Sequence, residues 1–132
     1  MKLLVLMFII TAALLSASQT DSKPSVPKYN PAAEAVYKGT LADVRDRQCP
    51  VSGGVGTHII MRLENGNSIE VHLATTEFTK MMEMNLRKGD AIEVTGWKTD
   101  FQGVQTIFAR ELKTGHDTYV FRTPDGMPAW AY

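Results

Sequence analysis

A single cysteine, Cys49, means that no disulfide can form within the chain, so the fold must be held by its apolar core. Charge of one sign is equally scarce. The 14 Lys and Arg balance the 14 Asp and Glu, and only Lys2 among them lies in the first 18 residues, so a chain beginning near Gln19 is close to neutral. Neither a basic nucleic-acid binder nor an acidic tail is indicated on that count, because phosphate contacts supply most of nucleic-acid affinity. Aromatics make up 8% of the residues, and the stacking platforms near a prospective ligand face reduce to Tyr37, Trp97 and Phe101. There is no internal repeat. With 132 residues the chain is also too short for a large two-domain enzyme, while 44% hydrophobic and 21% charged residues suit one soluble globular domain.

The one long apolar run is Leu3 to Leu15, preceded by Lys2 and followed by Ser16-Ala17-Ser18. A short basic region, a hydrophobic region and small residues at the cut define a cleavable export signal over 1–18. As a helix the run spans only ~20 Å against a hydrocarbon core of ~30 Å, so stable membrane insertion after cleavage is not expected. Ser18 stands where a lipoprotein would carry its lipid-bearing cysteine. The expected location is periplasmic or secreted. Residues 19–34, with Pro24, Pro27 and Pro31 and no apolar periodicity, read as a flexible linker, and the folded domain as 35–132 with an extension from about residue 114.

From Val36 onward short alternating runs sit between turn signals. Val36 to Arg47 reads as a first strand bent at Gly39, and Gln48 to Gly56, with Pro50 and three glycines, as a mobile loop carrying Cys49. His58 to Glu64 and Ser68 to Leu73 flank Asn65-Gly66-Asn67, a hairpin signal. A three-residue loop over 65–67 sets Leu63 opposite Ile69 and Met61 opposite Val71. Ile59, Met61, Leu63, Ile69, Val71 and Leu73 then point inward, and His58, Ile60, Arg62, Glu70 and His72 outward, with Arg62 and Glu70 paired across the strands. Thr75-Thr76-Glu77 opens a short helix to about Asn85 that turns Phe78, Met81 and Met82 toward the barrel end. Ala91 to Lys98 and Val104 to Lys113 are the fourth and fifth strands, and Thr118 to Trp130 can form a small added hairpin around Pro124-Asp125-Gly126. The expected class is all-β with one short helix: a five-stranded OB-fold Greek-key barrel, helix between strands three and four, with a small C-terminal hairpin extension.

The segment Lys88-Gly89-Asp90-Ala91-Ile92-Glu93-Val94-Thr95-Gly96 resembles the entry to strand four of many bacterial OB domains. Together with Gly56-Thr57-His58, Val71-His72-Leu73 and Asp125-Gly126-Met127-Pro128-Ala129-Trp130, it is similar to exported OB domains of the MamS/MamX-type magnetosome proteins. The resemblance implies an extracytoplasmic accessory domain linked to metal or redox biology, and it hands over no catalytic residues. The Cys-x-x-Cys-His motif for covalent haem is absent, since Cys49 stands alone.

OB barrels bind ligands on the outer face of strands two and three, flanked by the loops between strands one and two and between four and five. Here that face holds His58, Ile60, Arg62, Glu70 and His72, with Trp97 from the second loop region. His58 and His72 are expected as diagonal neighbours ~7 Å apart in solvent, close enough to share an ion, with Cys49 swinging in as a third ligand to zinc or copper. Against this, the spacings of Cys49, His58 and His72 match no zinc template, and isolated strand histidines are usually packing or surface residues. Met81, Met82 and Met84 offer thioethers to copper(I), but methionines at a barrel end commonly fill gaps. Gly53-Gly54-Val55-Gly56 lacks the Lys-Ser/Thr of a phosphate-binding loop, and no motif marks an enzyme. The expected function is a non-catalytic binding or accessory module without a cofactor, recognising a protein partner or small ligand through this face. Metal handling (zinc, copper or iron) is the alternative, and single-stranded nucleic-acid binding a weaker one.

Overall fold

The computed structural model describes residues 27–131; the expected export signal and residues 19–26 of the expected linker lie outside them. The described chain is mostly β: β1 Glu34–Cys49, β2 Gly54–Leu63, β3 Ser68–Thr75, helix α1 Thr76–Met81, β4 Ala91–Phe101, β5 Val104–Lys113 and β6 Thr118–Val120. There are six strands where five were expected, because Thr118–Val120 adds to β5 as a further antiparallel strand. Beyond it the chain doubles back at Asp125-Gly126, with an isolated bridge between Arg122 and Pro128.

The sheet order is β3-β2-β1-β4-β5-β6, and β3 also pairs with β5 in parallel from Glu70↔Thr106 to His72↔Phe108. That contact joins the two ends of the first five strands. The alternating residues inside it, among them Leu41, Ile59, Met61, Val71, Val94, Ile107 and Leu112, are all at most 1% exposed and form one core. A smaller cluster lies on the outer side, where Tyr29, Phe101 and Phe108 pack with Val51 and Trp97. Tyr29 belongs to a stretch expected to be linker. It is buried, and its hydroxyl donates to Glu34 Oε1 at 2.7 Å, so order begins before Ala35.

The β2–β3 hairpin keeps the expected faces but shifts its register by two residues. Met61 pairs with Ile69, Ile59 with Val71 and His58 with His72, while Arg62 faces Ser68. The physical cause is the turn. Leu63 N–H donates to Asn67 O and Gly66 N–H to Leu63 O, so the three-residue loop is Glu64-Asn65-Gly66. Its third position is left-handed, and Gly66 takes it at φ 86°. The expected Arg62–Glu70 pair therefore does not form. The bend in β1 falls between Leu41 and Asp43 rather than at Gly39, where a Cβ would sit 2.1 Å from Arg62 O.

Thr75 caps α1 by accepting from Phe78 N–H at 3.2 Å, but the helix stops at Met81, with Glu83 at φ 52°. The early stop reverses one methionine. Phe78, Met82 and Met84 pack on the core, whereas Met81 is 75% exposed. No helix of the described residues is long and apolar enough to cross a membrane.

Candidate metal centre

Three adjacent strands supply the site. β1 runs on to Cys49, which pairs with Gly54, so the cysteine is a strand end and not part of a mobile loop. The loop shortens to Pro50 through Gly53, and Ser52 Oγ closes it by donating to Cys49 O at 3.2 Å. Gly56 permits the close approach of this hairpin: a Cβ there would stand 2.6 Å from Ser52 Oγ and 3.3 Å from Cys49 Cβ. His58 on β2 and His72 on β3 face each other directly, their ring centroids 3.8 Å apart.

Both imidazoles lie on the outer side of the sheet, as their parity requires, yet neither is open to solvent. His58 is 2% and His72 7% exposed, and Cys49 is 4% exposed. The expectation of solvent-facing rings is corrected by what covers that side. Phe101 and Phe108 pack on His72 in T-shaped arrangements, with centroids at 5.5 and 5.0 Å. Cys49, His58 and His72 also wall a small cavity with Thr57, Arg122 and Trp130; its interior of about 10 Å³ admits one water-sized atom. On their other side opens a cleft of about 300 Å³ bordered by Arg47, Glu70, Phe101 and Gln102.

The polar contacts are directional. Cys49 Sγ stands 3.3 Å from His72 Nδ1. His58 Nδ1 lies 2.7 Å from Glu70 Oε1 and 3.2 Å from Arg47 Nε. One nitrogen cannot serve both, and the shorter contact to a carboxylate assigns Nδ1–H as donor to Glu70, which Arg47 also pairs. In the neutral ring that tautomer leaves a lone pair on His58 Nε2, a buried atom with no hydrogen-bond partner among the described residues. One ligand atom from each of Cys49, His58 and His72 lies within 4.8 Å of the others. Bonds of about 2.0 Å to nitrogen and 2.3 Å to sulfur place ligand atoms of a three-coordinate ion ~3.5–3.8 Å apart, so an ion would draw the three groups together by up to about 1 Å.

Electrostatics favours the ligating forms of the sulfur and the carboxylate. Burial pushes the Cys49 thiol up, but the neighbouring imidazoles of His58 and His72 and the backbone at Ser52 outweigh it, leaving Cys49 lowered to about 5. Burial pushes His58 down, and the partners Cys49 and Glu70 more than reverse this, holding it above the ordinary imidazole value, so a metal ion would have to displace the second ring proton from Nε2. Burial likewise raises Glu70, and His58 and Arg47 bring it net below the usual carboxylate range.

Of the residues read from the sequence, Cys49, His58, His72 and Glu70 come together. Ile60 is half-buried opposite Glu70, Arg62 is exposed at the hairpin end, and Trp97 packs on Phe108 and Tyr29. Arg47 and Arg122 escaped sequence reasoning. Arg47 is the last residue of the first strand that the sequence predicts, and Arg122 follows the alternating Tyr119-Val120-Phe121 with no pattern that marks an arginine as buried.

Fold and site together define a mostly β protein with a buried thiol and two imidazoles on the outer side of its sheet. The chain belongs to the MamS/MamX magnetosome protein family, whose model matches residues 34–119. No curated protein matches it significantly. Among solved structures it is similar to the mitochondrial single-stranded DNA binding protein Rim1 of S. cerevisiae, at 8% identity and a TM-score of 0.42, covering 66% of this chain and 96% of that one.

Proposed function

We propose that this protein is an exported, non-catalytic accessory module of OB-fold type that binds one soft or borderline transition-metal ion, zinc or copper, through Cys49, His58 and His72. The order β1-β2-β3-β5-β4 around the core, with α1 between β3 and β4, supports the OB reading. The observation that carries the metal reading is His58 Nε2. A buried imidazole nitrogen without a partner costs free energy, and here it belongs to the same cluster as a thiol and a second imidazole. Glu70 behind His58 completes the carboxylate–histidine–metal relay that fixes ring and tautomer in metal sites.

The test is equilibrium dialysis of the purified chain against zinc and against copper(I), with bound metal counted by elemental analysis. One ion per chain is expected. Cys49→Ser, His58→Ala and His72→Ala should each lower affinity by more than the roughly 10–100-fold that loss of an outer partner costs. Wild-type protein that retains neither metal, or triple-variant protein that retains both, overturns the reading.

A second observation favours a partner at the same place. The cleft of about 300 Å³ outside the site gives the metal ligands one route to solvent and is large enough for a side chain of a docking protein.

A further inference from the structure

Arg122 is 7% exposed, yet among the described residues no carboxylate pairs with it. Its Nη1 donates to Gly126 O at 2.9 Å, its guanidinium lies 5.0 Å from the centroids of both Tyr29 and Trp130, and its Nε has no hydrogen-bond partner among the described residues. Held between two aromatic faces, it borders the small cavity that Cys49, His58 and His72 also border. A buried cation is therefore built in beside a group of metal-ligand atoms. Buried charges without a partner are rare because desolvation is costly.

We propose that this site selects copper(I) over zinc(II), and that Arg122 sets the preference. The inference rests on the metal-binding reading above. A thiolate with a monovalent ion is neutral, whereas the same thiolate with zinc leaves one positive charge facing the guanidinium at low dielectric. The remaining charges cannot offset this, since Glu70 is engaged by His58 and Arg47. Ligand count acts in the same direction. One sulfur and two nitrogens suit three-coordinate copper(I) with no further donor, while zinc takes four ligands and would have to recruit its fourth from the cleft bordered by Arg47 and Glu70.

The experiment measures copper(I), kept reduced under anaerobic ascorbate, and zinc(II) separately, each by competition with a chromophoric chelator. It compares wild type, Arg122→Met and Arg122→Lys. Arg122→Met should bind zinc about ten-fold or more tighter than wild type while its copper(I) affinity moves much less, and Arg122→Lys, which keeps the charge, should stay near wild type. Equal shifts for the two ions in Arg122→Met overturn the selectivity proposal and leave metal binding standing. Absence of both metals from wild type removes the metal reading itself. X-ray absorption of the wild-type copper(I) form needs no variant and covers the case in which Arg122→Met does not fold. Two nitrogens and one sulfur are expected, and a fourth ligand, or displacement of copper(I) by equimolar zinc, sinks the proposal.

Discussion

Glu70 shows how much one side chain decides at this site. Its Oε1 orients His58 through Nδ1, pairs with Arg47 and lies 3.9 Å from His72 Nε2, so it fixes the tautomer without being needed as a ligand. Glu70→Gln keeps the shape and removes the charge that selects Nδ1–H. The expected result is unchanged stoichiometry with metal affinity lower by about 10–100-fold, read by chelator competition. Away from the site, Glu34 ties the N-terminal segment to β5. It accepts from Tyr29 Oη at 2.7 Å and from Arg110 Nε at 2.6 Å. The Arg110 guanidinium holds the Glu34 carboxyl below its ordinary value of 4.5, with burial opposing and Tyr29 assisting. A depressed folded value stabilises the protein above the unfolded one and is lost as pH falls through the folded one. Glu34→Gln should therefore cost about 1 kcal/mol at pH 7 in urea denaturation, the partly exposed setting of the pair holding it to that size. The gap to wild type should narrow below pH 4.5.

At the scale of elements, the hairpins position the chemistry, and Gly56 is the point at which β1, β2 and the Pro50–Gly53 loop are pressed together. Gly56→Ala should destabilise the protein by about 1–3 kcal/mol through overpacking and lift Cys49 away from His72. Because Ser52 Oγ is the nearest obstacle, adding Ser52→Ala should recover part of both the stability and the metal affinity, a coupling that a double-mutant cycle measures directly. Elements of this kind were partly legible in the sequence. The alternation of Ile59, Met61, Val71 and His72 fixed which faces share a side, and it survived a register error because a slip of two residues preserves parity. The register itself turned on which loop residue needed positive φ, and Asn65-Gly66-Asn67 offers more than one reading. Cys49 looked mobile because Pro50 and the glycines after it suggest a loop, whereas long-range pairing with Gly54 extends the strand. The burial of both imidazoles was out of reach for a related reason. The covering residues Phe101 and Phe108 and the neighbouring Arg122 come from distant parts of the chain, and no local pattern announces which outer face a later segment will cover.

On the scale of the whole molecule, the site spans β1, β2 and β3, and β3 also carries the parallel contact to β5 that joins the two ends of the sheet. An ion held by Cys49, His58 and His72 therefore crosslinks strands whose separation is part of global unfolding, and it binds the folded chain in preference to the unfolded one. Linkage then gives the size of the effect. With free metal at 100 times the dissociation constant, the folded state gains about 2.7 kcal/mol. In a domain of this length that corresponds to a rise in Tm of about 10 °C or more. A thermal melt with and without metal should show that rise, a chelator should reverse it, and Cys49→Ser should melt at the same temperature in both conditions. The same melt separates an internal site from adventitious binding at exposed carboxylates or His116. Ions held there attach to folded and unfolded chains alike and leave Tm where it was. A rise that persists in Cys49→Ser would place the stabilising ion elsewhere and detach the metal from the three strands that position it.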